Sequence, residues 1–288
     1  MPLLALALVL GGAFVHAFWN LLVKQSANPA AFLYFSVIAS VTLFAPFVLL
    51  STPLAVVPAL LPVLAVSGAA EIGYIVALTK AYEHGDLSLV YPLARGSAPF
   101  FVTLWSVLII GERLPLFGYT GIAMMVAGIY LATLPSLHDW LRPIRSLELV
   151  SSRWALISGV CISIYTLADR EGVRLISPVT YNLYVFIMMA LGTTPFVLLT
   201  SRRLTARSEL RVNWLGIVGT GIVNIVNYLI VLWALTTVPA SYVSAVRGSS
   251  IVIGAFYGWR LRGERLGANR LLAVLLIAAG ILSLALGG

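Results

Sequence analysis

The chain reads as an all-α integral membrane protein, with ten transmembrane helices forming two inverted five-helix repeats. Three observations predict this. Hydrophobic residues make up 60% of the 288 and charged residues only 10%, with mean hydropathy +1.01. A soluble domain of this length has no core large enough to hide so much apolar surface. Second, apolar runs of about 20 residues, the length needed to cross hydrocarbon, recur between short polar breaks. Third, residues 95–114 and 247–266 share seven identities without a gap: Arg95-Gly96-Ser97 returns as Arg247-Gly248-Ser249, and Gly111-Glu112-Arg113-Leu114 as Gly263-Glu264-Arg265-Leu266. The same 152-residue offset carries Ala127-Gly128-Ile129 onto Ala279-Gly280-Ile281.

The ten segments, in order, are 3–23, 31–50, 59–81, 88–110, 116–134, 154–173, 179–199, 213–235, 240–259 and 269–286. The first has no basic leader and stays apolar past any cut after Ala17, so it is expected to remain as a helix rather than leave as a signal peptide. The fourth ends on Gly111, where a left-handed residue can close a helix, and Pro115 suits the first turn of the fifth. The connections at 135–153 and 200–212 carry Arg and Ser without a core-forming pattern.

The offset maps segment 4 onto 9 and segment 5 onto 10, so each half holds five helices. Five is odd, and the second half therefore starts on the opposite side of the membrane. Earlier helices correspond less closely, with Gly12 opposite Gly159 and Pro29 opposite Pro178. The division is 1–135 for the first repeat, 136–153 for the connecting loop and 154–288 for the second repeat, within a single membrane domain.

The net charge of +8 is spread over membrane-flanking segments, which argues against nucleic acid. Thirteen Lys and Arg follow odd-numbered helices and three follow even-numbered ones. By the positive-inside rule the first set is cytoplasmic and both termini are outside. The one cysteine, Cys161, lies inside a helix and makes neither an intrachain disulfide nor, alone, a metal site.

The paired halves and their Gly-Glu-Arg-Leu turns resemble the EamA-type carriers of the drug/metabolite transporter superfamily. Ala81-Tyr82, Ala234-Leu235, the two Arg-Gly-Ser segments and His16-Ala17-Phe18-Trp19-Asn20 add to the likeness, which covers nearly the whole chain. Within that superfamily it is most similar to inner-membrane amino-acid exporters of the aromatic amino acid exporter type. The resemblance implies a multi-pass inner (plasma) membrane protein that exports small metabolites by alternating access. It implies no cofactor and no metal, a small-molecule substrate (an amino acid) and the lipid bilayer as partners, and a monomer. Coupling is to protons or absent. Drugs, sugars and nucleotide sugars are the alternative cargo.

Ionisable groups deep in a membrane are functional candidates by default. Glu71 lies about 18 Å along helix 3, near the midplane. It suits a proton carrier, a receptor for cations or a partner for Arg95, and its repeat equivalent is Val223. Arg95 and Arg247 lie about 11 Å into their helices and suit a substrate carboxylate, or a scaffold role in both halves. His16, Trp19 and Asn20 share one face of helix 1. Asn224, Asn227 and Tyr228 form a polar stripe on helix 8, joined by Trp233, and lipid cannot satisfy such a stripe. Tyr74, Tyr82, Tyr91, Tyr242 and Ser244 complete the substrate set, with Ser241 and Ser249 as further small residues of helix 9. Pro92, near the start of helix 4, either loosens the helix or sits harmlessly in its first turn. Amides, phenols and indoles beside arginine suit a zwitterion with an apolar side chain. Asp169, Arg170 and Glu171 are read as snorkelling or locally paired near the end of helix 6.

An intramembrane enzyme is the reading from another class. The chain has no His-Glu-x-x-His helix, no P-loop and no compact Ser/His/Asp set, so no catalytic residue is assigned.

Overall fold

The computed structural model describes residues 2–51, 57–84, 87–132, 134, 138, 141, 149–200, 203–251, 253 and 268–286. Among these every regular element is a helix: α1 (Leu3–Gln25), α2 (Pro29–Ser51), α3 (Leu60–His84), α4 (Leu87–Leu108), α5 (Leu116–Ala132), α6 (Val150–Leu175), α7 (Pro178–Thr200), α8 (Arg203–Val212), α9 (Trp214–Leu235), α10 (Ala240–Gly248) and α11 (Ala268–Leu286). Four described stretches are long and apolar enough to cross a membrane: Ala30–Ser51, Leu60–His84, Val150–Leu175 and Trp214–Leu235. Shorter apolar stretches occupy α1, α4, α5 and α11. Leu50, Leu199 and Leu286 are 89%, 86% and 79% exposed, a rim of leucine that only lipid makes economical.

Two expectations change. The connection at 200–212 contains α8, a ten-residue helix held by Glu209, which is buried, accepts the Asn28 N–H at 3.1 Å and accepts from the Asn213 amide at 2.7 Å. Its alternation of Arg with apolar residues was too short to read as a core pattern. The sixth helix begins at Val150, four residues before the expected start, which shortens the connecting loop. The second Gly-Glu-Arg-Leu turn and the basic residues Arg142, Arg145, Arg202, Arg260, Arg262 and Arg265 lie outside the described residues.

Local chemistry sets the helix ends. Asn28 caps α2, its side-chain oxygen accepting the Ala31 N–H at 3.1 Å with Pro29 in the first turn. Ser177 caps α7 in the same way, accepting the Thr180 N–H at 3.2 Å before Pro178. Each of these helices then carries an interior proline at the same distance from its first, Pro46 and Pro195. Gly111 ends α4 with φ +72°, and the following Glu112 N–H reaches back to Ser106 O at 2.9 Å.

The expected repeat would pair α1 with α6, α2 with α7, α3 with α9, α4 with α10 and α5 with α11. α3 lies along α6 and α7; α9 lies along α1 and α2; α4 lies on α6 and α10 on α1; and α2 meets α7, α4 meets α10, α5 meets α11. Several of these contacts have a counterpart when the halves are exchanged, but among the described residues α9 also meets α6 and α7, and α5 meets α10, without a counterpart of comparable extent. Small residues permit the closest crossings. A Cβ on Gly121 would stand 2.9 Å from Gly280 O, and one on Gly280 2.7 Å from Gly121 O. Gly128 meets Ala273 O in the same manner. Gly96 and Gly248, the glycines of the two Arg-Gly-Ser segments, both abut Ile129. The repeated glycine thus makes room for packing, and the repeated arginine beside it points elsewhere.

Candidate functional site

Where α3, α6, α7 and α9 converge, polar side chains meet far from water. Ser67 and Glu71 lie one turn apart on α3, and Tyr165 and Asp169 one turn apart on α6, so each pair shares a helix face. Glu71 is 2% exposed and Asp169 1%. Such burial is costly for a carboxyl without partners, and both have them. Ser67 donates to Asp169 Oδ1 at 2.6 Å, and the Tyr181 hydroxyl donates to the same oxygen at 2.9 Å. The Tyr228 hydroxyl of α9 stands between the two acids, against Asp169 Oδ2 and 3.1 Å from Glu71 Oε1.

Rings enclose this centre. Tyr165 lies 6.1 Å from Tyr74 and 6.5 Å from Tyr228, which in turn lies 5.6 Å from Phe186. On the far side of Tyr74, the Arg95 guanidinium sits 5.9 Å from the ring centroid. Arg95 Nη2 meets His16 Nε2 of α1, joining two buried residues of the sequence-derived set. Its Nε is buried without a hydrogen-bond partner, and so is the hydroxyl of Tyr91 one turn back on α4. Arg247, half-buried on α10, acts electrostatically on both Glu71 and Asp169. The centre therefore sets two cations against two acids, with unmet donors on the α4 side.

The structure sorts the sequence-derived residues. It brings together His16, Glu71, Tyr74, Arg95, Tyr228 and Arg247, with Tyr82 and Tyr91 near Tyr74. Glu71 lies at hydrogen-bond distance from the Tyr228 hydroxyl and Arg95 meets His16, so of the readings of Glu71 the direct pairing with Arg95 is not formed. Asn227 is buried against Gly12, so it closes the α1–α9 contact, and Asn224 is half-buried on the same helix. Tyr242 packs its hydroxyl on Gly118 of α5, away from the acids, and Ser244 is buried on α10. Trp233 is 40% exposed and five residues from Tyr228, on a different face of α9. The side chains of Trp19, Asn20 and Pro92 lie outside the described residues.

One residue was misread. Asp169 was assigned to snorkelling with its charged neighbours, yet it is the most densely bonded acid of the centre. Three successive residues on a helix point about 100° apart, and they part company here. Asp169 turns inward. Arg170 turns toward the α4–α5 turn, 3.5 Å from Glu112, whose other oxygen accepts from Ser241 at 2.9 Å. Glu171 stays outside, paired with Arg174 at 2.9 Å. The signal available in sequence was the i, i+4 spacing of Tyr165 and Asp169, which continues the buried face through Ser158 and Ile162.

Comparison with known proteins bears on what this centre serves. Residues 151–286 match the model of the EamA-like transporter family. The pseudopaline exporter CntI of Pseudomonas aeruginosa, in strains PAO1 and UCBPP-PA14, is 27% identical over 254 residues, spanning 88% of this chain and 85% of the exporter. A protein of known crystal structure superposes with a TM-score of 0.75 over 98% of both chains at 15% identity, which establishes a shared fold. The long apolar helices, with the likeness to an exporter, make this a multi-pass membrane protein. Asp169, Tyr181, Arg247 and Tyr228 all fall within the matched segment, whereas Glu71, Arg95 and His16 come from the preceding part of the chain.

Proposed function

We propose that this protein is a secondary carrier of the drug/metabolite transporter superfamily, resident in the inner membrane, that exports amino acids, aromatic ones included. Two inverted five-helix repeats, 1–135 and 154–288, would open the shared centre to each side in turn. The match of residues 151–286 to the EamA-like transporter model, the likeness to a named exporter and the repeated Arg-Gly-Ser and Gly-Glu-Arg-Leu segments support this reading. The observation that carries the cargo class is the pairing of unmet donors with acids inside an aromatic wall. Arg95 Nε and Tyr91 OH can take a carboxylate, Glu71 can take an ammonium, and Tyr74, Tyr165 and Phe186 can take an apolar side chain. A single-charge ligand would leave one of these groups buried and unmet, which is costly.

Reconstitution in liposomes with a labelled amino-acid panel, aromatic members included, tests the proposal. Saturable and mutually competitive uptake is expected. Folded protein that moves no member of the panel above empty liposomes would overturn the amino-acid assignment. It would favour the second reading, a cargo like that of the related exporter, pseudopaline itself, for which the 27% identity speaks.

A further inference from the structure

We propose that Glu71 holds the proton that is exchanged for substrate, as a neutral carboxyl hydrogen-bonded to Tyr228, while Asp169 remains the anion of the pair. The proposal rests on the carrier reading above and adds the coupling ion and its seat.

The argument is a count of hydrogens. A tyrosine hydroxyl has one to give. Asp169 accepts from Ser67 and Tyr181 at Oδ1 and meets Tyr228 at Oδ2, so three hydroxyls face one carboxyl. A carboxyl ringed by three donors is held as the anion, and the Tyr228 hydrogen is committed to it. Glu71 Oε1 nevertheless lies 3.1 Å from the same phenol oxygen. Two buried oxygens at hydrogen-bond distance need a hydrogen between them, and only Glu71 can supply it. The chain is therefore Glu71 O–H to Tyr228 O, then Tyr228 O–H to Asp169.

The surroundings bear this out and add the partner for exchange. Facing Glu71 are Asp169, Tyr165 and Cys161 of α6, Tyr181 of α7, Tyr228 of α9, Arg95 of α4, Arg247 of α10 and Tyr74 of its own helix. With Glu71 neutral, two arginines stand against one carboxylate, and the centre has room for one more negative charge. Arg95 is 92% buried with its Nε unmet, on the α4 side of Tyr74. A carboxylate docking there restores neutrality, and the ammonium of the same molecule arrives at Glu71. The Glu71 O–H bond then breaks and its proton leaves to water, leaving a carboxylate for the ammonium. Return of the proton re-forms the O–H bond and releases the cation. Tyr228 lets the pair share the charge, since it can take the Glu71 proton while passing its own to Asp169. Nothing is oxidised or reduced.

Two measurements on the full chain decide it. Infrared spectra of the purified protein at neutral pH should show the carbonyl band of a buried protonated carboxyl. The band should vanish in Glu71→Gln and persist in Asp169→Asn. Its absence from the wild type, or its survival in Glu71→Gln, would overturn the assignment. In proteoliposomes, an inside-acid gradient should raise wild-type amino-acid uptake several-fold, and the stimulation should fall to unity in Glu71→Gln and drop sharply in Tyr228→Phe. A wild type indifferent to the gradient, or a Glu71→Gln variant that still responds, would refute the coupling role. A wild type that transports nothing removes the carrier reading and with it the exchange, and the infrared band still decides where the proton sits.

Discussion

Arg95 illustrates how much a single side chain can demand of its surroundings. It is buried, meets His16 with one nitrogen and leaves another unmet. Hydrogen bonds to charged groups contribute about 1.5–3 kcal/mol. Arg95→Ala should therefore raise the KM for uptake on the order of ten- to a hundredfold, with a smaller change in maximal rate, as initial-rate measurements would show. Arg95→Lys should recover little, because an ammonium lacks the planar fork that reaches His16 and a carboxylate together. A lysine variant with wild-type KM would mean that Arg95 contributes charge alone. At this scale the sequence was legible where a charged residue had no charged neighbour in an apolar run, as with Glu71 and Arg95, or where polar residues lined one helix face, as with Tyr228. Asp169 was hidden by company. Its neighbours Arg170 and Glu171 made a charge run, and a charge run reads as a solvated helix end until the packing shows which way each residue turns.

Helix contacts depend on glycines in two distinct ways, and substitutions should separate them. Gly280 lies against the backbone of α5, where nothing can yield, so Gly280→Leu should destabilise by about 1–3 kcal/mol and lower the melting temperature in detergent. Gly11 has nothing within 4 Å of its would-be Cβ. Gly11→Ala should leave the melting temperature unchanged or raise it, since alanine favours a helix over glycine by about 1 kcal/mol. Gly111 differs from both, because open space surrounds it but its φ is +72°. Gly111→Ala should cost roughly 1–2 kcal/mol through backbone strain with no loss of contact. Helix existence was readable from apolar run length, since lipid leaves few other choices. The short α8 was not, because its place is set by Glu209 bonding to Asn28 and Asn213, partners that no local pattern announces.

At the scale of the molecule, Glu112 and Arg170 tie the α4–α5 turn to α6, and Ser241 brings α10 into the same knot. Both charges are largely buried, with side-chain exposures of 6% and 14%. Removing one partner strands the other, at a cost on the order of 3 kcal/mol. Glu112→Ala and Arg170→Ala should each lower the melting temperature, and the double variant should fall short of their sum. Strict additivity would show that the two do not interact. The duplicated Gly-Glu-Arg-Leu turn was visible as a repeat, but nothing local showed which way its glutamate turns. What sequence could not convey is that α6, from the other half, brings the arginine that draws it inward.

The α5–α11 crossing has one further consequence. Gly121 faces Gly280 and Gly128 faces Ala273, so the contact reads the same from either helix. A surface complementary to its own copy is what two identical chains need in order to meet as a symmetric pair. Each crossing glycine should therefore matter equally from either helix, whereas the acid at position 71 corresponds to valine at 223 under the 152-residue offset and breaks that likeness.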